Sequence, residues 1–195
     1  MAERRRGAAL EKALLDAAWD ELAEHGYARF TVDAVVRRAG TSPPVLYRRW
    51  SDRDELVRAA IAHVLKESLL ELPDTGSLRD DLVTLMREIG RARVRLITLV
   101  YGALAGYHRD VGESLGALRD PAVTGRAEAL DTMYGRAVRR GEIDANRLTD
   151  RIRSLPFDLL RHEILLTFAP VPDEVVEEIV DTIFLPLVRR PGASP

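Results

Sequence analysis

The sequence predicts an all-α fold of about nine helices: three short ones first, one long connecting helix, then a larger bundle. Three observations carry this reading. Apolar residues recur at three- and four-residue spacing along the chain. No stretch sustains the alternation of a strand, and glycine or proline separates the periodic segments.

Leu10, Leu14, Ala17, Ala18 and Leu22 mark the first helix, which Gly26 ends. Val32, Val35, Val36 and Ala39 mark the second, with Thr31 as its cap and Gly40 as its stop. A short third helix after Ser42 carries Val45, Leu46 and Trp50. Ser51 with Asp54 reads as a capping box opening a fourth helix to about Leu70, some 20 residues and so ~30 Å. Pro73–Gly76 is the clearest break, and Ser77 with Asp80 is a second capping box. Leu78, Leu82, Leu85, Met86 and Ile89 face inward on the helix that follows.

The most apolar run, residues 96–107, is too short for a bilayer span of ~20 residues. Gly102 and Gly106 within it predict close helix packing. A connector from Arg109 to Gly116 leads on, and Pro121 starts a helix carrying Ala129, Leu130, Met133, Ala137 and Val138 to Gly141. Leu148 to Phe168 is a long apolar helix that Pro156 should kink. Pro172 and Asp173 open the last helix, with Val175, Val176, Ile179, Val180, Ile183 and Phe184 on its apolar face.

With 195 residues and no cysteine, the chain can bury a core without disulfides, and it lacks thiol chemistry and Cys-based zinc sites. The four histidines lie at least 38 residues apart, so no metal-binding pair at helical spacing exists. HExxH, GxSxG and phosphate-binding glycine loops are absent, and His108-Arg109-Asp110 is a chance triplet. The expectation is a protein without enzymatic activity, cofactor or metal. The basic start Met1–Arg6 runs into Glu11, Lys12 and Asp16 rather than an apolar signal core, which predicts a cytoplasmic protein.

The net charge of −2 conceals a partition. Residues 1–12 carry +2, residues 13–28 carry −4, residues 29–58 carry +3, and the remainder carries −3. The basic segment from Phe30 to Leu56 pairs two short helices across a tight Gly40-Thr41-Ser42 turn. That is the arrangement of a helix-turn-helix, in which one helix braces on the DNA backbone and the other enters the major groove. For the arginine-rich arm, groove contact and a solvated terminus both stay open. For Arg37 and Arg38, so do DNA contact and plain surface charge.

Gly26-Tyr27, Phe30-Thr31-Val32, Arg37-Arg38-Ala39-Gly40, Leu46-Tyr47-Arg48, Trp50 and Asp54-Glu55-Leu56 span about 45 residues in order. In them the sequence resembles the N-terminal DNA-binding domain of tetracycline-repressor (TetR) family regulators. Gly141-Glu-Ile-Asp144 before a proline-containing penultimate helix resembles many members as well. The resemblance implies a helix-turn-helix DNA-binding domain over residues 1–58. It implies a helical ligand-binding and dimerisation domain over 59–195. Thr31 would meet a phosphate through its N–H and hydroxyl, Tyr47 through its phenol, and Arg53 stands where the family usually carries a backbone-contacting lysine. Val35, Leu46 and Trp50 would hold the module together.

The recognition helix departs from the family pattern, because Pro43 and Pro44 replace a polar or basic pair. A Ser42 cap could then bond only the N–H of Val45. Thr41, Pro43, Pro44 and Val45 form an apolar contact surface suited to thymine methyls, which leaves Arg48 or Arg49 for guanine.

The resemblance further implies a repressor that binds a palindromic operator as a homodimer through its last two helices. A small-molecule effector would release it. Control by a protein partner, or no effector, is the alternative. Candidate ligand contacts are Met86, Tyr101, Tyr107, Met133, Tyr134, Phe157, Arg161 and His162. Arg161 and His162 interrupt an apolar stretch, and Asp158 is an internal partner within reach of Arg161.

Overall fold

A computed structural model describes residues 2–67, 71–111 and 130–189. All regular elements among them are helical: α1 (Ala2–His25), α2 (Val32–Arg38), α3 (Pro43–Tyr47), α4 (Arg53–Glu67), α5 (Leu78–Ala92), α6 (Val94–Val111), α7 (residues 130–140), α8 (Asp150–Thr167), α9 (Asp173–Glu178) and α10 (Leu185–Val188). A π-helical turn, Ile179–Phe184, joins α9 to α10. Short 3-10 turns stand at Tyr27–Arg29 and Ala145–Arg147. The expected connector at residues 112–116, the start at Pro121 and the position of Ala129 lie outside the described residues. Residues 109–111 still belong to α6.

The chain divides into two compact units. The first holds α1 to α4 and the part of α6 from Leu99 onward. α1 packs on α2 and α4, burying Leu14, Ala18 and Leu22 against Leu56, Val57, Ala60 and Ile61. The second holds α5, the first turn of α6 and everything from α7 onward. Its core joins Leu78, Leu82 and Met86 of α5 to Met133 and Tyr134 of α7, Leu160 and Ile164 of α8, and Val176, Val180 and Phe184.

Several local features differ from expectation. The cap of α4 sits one residue later than the Ser51–Asp54 box. Asp52 Oδ1 accepts the N–H of Glu55 at 2.7 Å, and Glu55 Oε2 accepts the N–H of Ser51 at 2.6 Å. Asp54 is unavailable because the Tyr27 hydroxyl donates to it at 2.5 Å. At α5 only half a box forms: Ser77 Oγ accepts the N–H of Asp80, but the Ser77 N–H goes to Thr75 Oγ1. The two glycines of α6 also part company. A Cβ on Gly106 would lie 3.0 Å from Cβ of Tyr27, a close approach, whereas Gly102 faces open space.

α8 runs through Pro156 as one helix and ends at Phe168 in the left-handed region (φ 52°). The π turn adds backbone to the last helix, so Phe184, Leu185 and Val188 enter the core while Ile183 is 37% exposed. Glu142 of the Gly141–Asp144 turn accepts the N–H of Leu78 at 2.7 Å, closing the start of α5, and Ile143 fills the core.

Candidate nucleic-acid interface

The interface begins at the exit of α1. Gly26 (φ 71°) turns the chain into the 3-10 turn, where Tyr27 and Phe30 are buried. Thr31 then caps α2, its Oγ1 accepting the N–H of Ala34 at 3.3 Å. Ala34, Val35 and Val36 turn inward. α2 closes in a Schellman arrangement: the N–H of Gly40 reaches the Arg37 carbonyl and that of Thr41 the Val36 carbonyl at 2.9 Å. This needs a positive φ at the turn, which Gly40 supplies at 65°. The Gly40-Thr41-Ser42 turn therefore has a fixed shape.

α3 starts without side-chain capping. The Ser42 hydroxyl makes no cap bond, a correction to the expected Ser42–Val45 cap; instead the Ser42 carbonyl accepts the N–H of Val45 at 3.0 Å. Prolines in the first two positions leave few donors to satisfy. Leu46 is fully buried, as is Val35, and Trp50 is nearly so. These three anchor the module as expected.

The outward residues fall into two groups. Thr31, Ser42, Pro44, Tyr47 and Arg48 are exposed, with Tyr47 at 50%, while Thr41, Pro43, Val45, Arg49 and Arg53 are half-buried. Arg48 makes no side-chain hydrogen bond or ion pair among the described residues, whereas Arg49 Nη1 donates to the Val45 carbonyl at 3.3 Å. Arg53 is turned inward. It donates to the Tyr27 carbonyl and its guanidinium lies 4.2 Å from the centre of the Tyr27 ring. Arg38 is pinned to α1, 2.7 Å from Glu24 and 3.4 Å from Glu21. Hydrogen bonding to Glu24 raises the Arg38 pKa, and the same bond holds the Glu24 carboxyl below its ordinary value. Arg37 is exposed.

Sequence reasoning missed the cluster behind this face. Tyr27 is joined to Asp54 and Arg53, and its ring meets the edge of Tyr107 at a centroid distance of 5.3 Å. Arg58 donates to the Tyr107 hydroxyl at 2.7 Å. Burial, reinforced by the bond to Asp54, pushes the Tyr27 phenol well above its ordinary range, so it stays a donor. The partners lie 26 to 80 residues apart, beyond the reach of local pattern.

The candidate ligand contacts separate between the units. Met86, Met133, Tyr134 and Phe157 share the core of the second, where Tyr134 donates to the Arg153 carbonyl at 3.0 Å. Tyr101 and Tyr107 belong to the first. Arg161 pairs with Asp158 at 2.8 Å, and His162 is exposed.

Two short helices joined by a turn of set shape, behind an outward face of hydroxyls, apolar atoms and Arg48, which has no partner among the described residues, make a helix-turn-helix regulator of transcription. Residues 14–60 match the family of bacterial regulatory proteins called tetR, and residues 72–183 match the tetracyclin repressor-like C-terminal domain. The chain belongs to the tetR family of DNA-binding transcriptional regulators. It is 32% identical over 188 residues to a protein of Mycobacteroides abscessus named as a DNA-binding transcriptional repressor, covering 96% of this chain and 98% of that one. An uncharacterized HTH-type transcriptional regulator of Mycobacterium tuberculosis is 32% identical over 169 residues, 87% of this chain and 83% of that one.

The fold is shared with a TetR transcriptional regulator from Agrobacterium tumefaciens (TM-score 0.66, 24% identity, covering 92% of this chain and 94% of that one). It is shared also with a TetR-family regulator from Mesorhizobium loti (TM-score 0.67, 13% identity, 95% and 99%). Among the described residues no helix is long and apolar enough to cross a membrane.

Proposed function

We propose that this regulator is a cytoplasmic repressor that binds a palindromic operator as a homodimer and leaves it when a small molecule binds. The observation that carries the reading is the outward face of α3, where Tyr47 and Arg48 are exposed and Arg48 has no partner among the described residues. Residues 1–58 form the DNA-binding domain in this reading and residues 59–195 the ligand-binding and dimerisation domain. Thr31 and Tyr47 meet phosphates, and Thr41 to Val45 with Arg48 and Arg49 face the bases. Arg53 reaches a phosphate only by leaving Tyr27.

Dimerisation through α8 and the last helix is supported by exposed apolar residues: Leu166 and Phe168 at 65%, Leu187 at 42% and Ile183 at 37%. Phe168 holds a left-handed conformation that costs a non-glycine residue about 1–2 kcal/mol. Two helices from each copy make a four-helix interface of the familiar kind. The name of the Mycobacteroides abscessus relative supports repression. An effector that prefers a dimer with a different spacing of its α3 helices shifts the population away from the ~34–36 Å that successive major grooves require.

The test is selection of bound duplexes from a random pool, followed by gel shift and sedimentation. The expected result is a palindrome bound by two copies. Enrichment of a single asymmetric half-site, or a protein that stays monomeric, overturns the dimer reading. A crosslink that fixes the spacing of the two α3 helices is expected to abolish release by ligand. Release only by another protein replaces the small molecule in this scheme.

A further inference from the structure

The outward face of α3 carries an unusual set of hydrogen-bonding groups. Pro43 and Pro44 fill its first two positions and have no N–H. The next two N–H groups, of Val45 and Leu46, both point to the Ser42 carbonyl, at 3.0 and 3.4 Å. The front of the helix therefore offers no spare backbone donor. The side chains at these positions do not replace one, since Pro43, Pro44 and Val45 are apolar, Pro44 exposed and the other two half-buried. Arg49 is tied back to the Val45 carbonyl, so Arg48 is the guanidinium of this face without a partner among the described residues.

A major-groove base edge is a row of donors and acceptors with one apolar exception, the 5-methyl group of thymine. Covering a donor or acceptor with proline and valine atoms strips its water and returns no hydrogen bond. Covering a methyl removes apolar surface from water at no polar cost. Resting on the operator-binding reading above, we infer that Pro43, Pro44 and Val45 select thymine by its methyl group in each half-site, and that Arg48 supplies the one strong polar base contact, to guanine. Specificity then depends on two chemically separate features of the operator, a methyl group and a purine N7/O6 edge.

The experiment uses the full chain and the duplex recovered by selection. Each dT of a half-site is replaced singly by dU, which deletes the methyl and leaves base pairing intact. At the position under Pro43 to Val45 the expected weakening is about fourfold, and about fifteenfold when both half-sites are changed, from the transfer free energy of one methyl group. Val45→Ala is expected to shrink that ratio toward one. Replacing dG by 7-deaza-dG should weaken wild type and leave Arg48→Ala unchanged. Equal wild-type affinity for dT and dU duplexes at every position overturns the methyl reading while the operator reading stands, and it needs no variant to fold. Failure to enrich any duplex overturns the operator reading itself.

Discussion

The helix-turn-helix and the core of the second unit hold their shapes by different means. α2 and α3 are seven and five residues long, well below the length at which a helix persists alone. Their ends are set by individual hydrogen bonds: the Thr31 cap, the two bonds closing α2 at Gly40 and Thr41, and the Asp52–Glu55–Ser51 exchange at the start of α4. α5 and α8 run fifteen and eighteen residues and share one continuous apolar core. The helix ends of the recognition module are thus set by individual bonds over a small core of Val35, Leu46 and Trp50, whereas the bundle rests on one larger filled volume. Arg48, without a partner among the described residues, is tolerable on the first because it is exposed to water and would be out of place inside the second.

The sharpest way to break this contrast is to cut the same amount from each core. Leu46→Ala and Leu82→Ala each empty a fully buried site, and each is expected to cost about 2–5 kcal/mol. Amide exchange tells them apart. Leu46→Ala should open residues 32–50 and spare α5, and Leu82→Ala should do the reverse. Concerted loss of protection in both units from either change would end the two-region account.

How much of this was legible in sequence follows the reach of each interaction. The Thr31 cap, the Gly40 stop and the break at Pro73–Gly76 rest on neighbours within a few residues, and they were readable. The α4 cap was misplaced by one residue because Tyr27, far back in the chain, claims Asp54. Arg53 reads in sequence as a backbone contact and Arg38 as either a DNA contact or plain surface charge, because their partners in the fold lie 14 to 26 residues away. Glu142 belonged to a recognisable motif, but its bond to the N–H of Leu78 spans 64 residues. A regular helical period places Ile183 inward, and the π turn shifts that period.

Two glycines four residues apart give the next largest effect. Gly106→Ala places a Cβ 3.0 Å from Cβ of Tyr27, an atom fixed to backbone, so overpacking of about 1–3 kcal/mol is expected. Gly102→Ala meets nothing and is expected to stabilise α6 by up to about 1 kcal/mol through helix propensity. Urea midpoints that move the same way in both variants would contradict the close approach at Gly106. Smaller still is Thr31→Ala, which removes the α2 cap and should cost about 1 kcal/mol. The same change at Ser42, whose side chain makes no cap bond, should leave stability within about 0.5 kcal/mol of wild type.

The smallest effect concerns the surface clasp between α1 and α4. His63 Nε2 lies 2.8 Å from Asp16 and 3.4 Å from Glu67, and Lys12 bridges the two carboxylates at 3.2 and 2.6 Å. Partial burial raises the Asp16 pKa, but hydrogen bonds from His63 and Lys12 outweigh it and bring the group below its ordinary 3.8. A carboxyl with a depressed folded pKa stabilises the fold above its unfolded pKa and loses that contribution as pH falls through the folded value. The stability gap between wild type and Asp16→Asn should therefore be present at about pH 6 and shrink by about pH 3. Asp16 is 45% exposed, so solvent screens the pair and the gap is small even at its largest. Raising the salt to about 1 M should narrow it further, because the screening length then falls to roughly 3 Å. A gap that keeps its size from neutral to acid pH would mean that Asp16 acts through shape rather than charge, which would bring this clasp into line with the volume-filled core of the second unit.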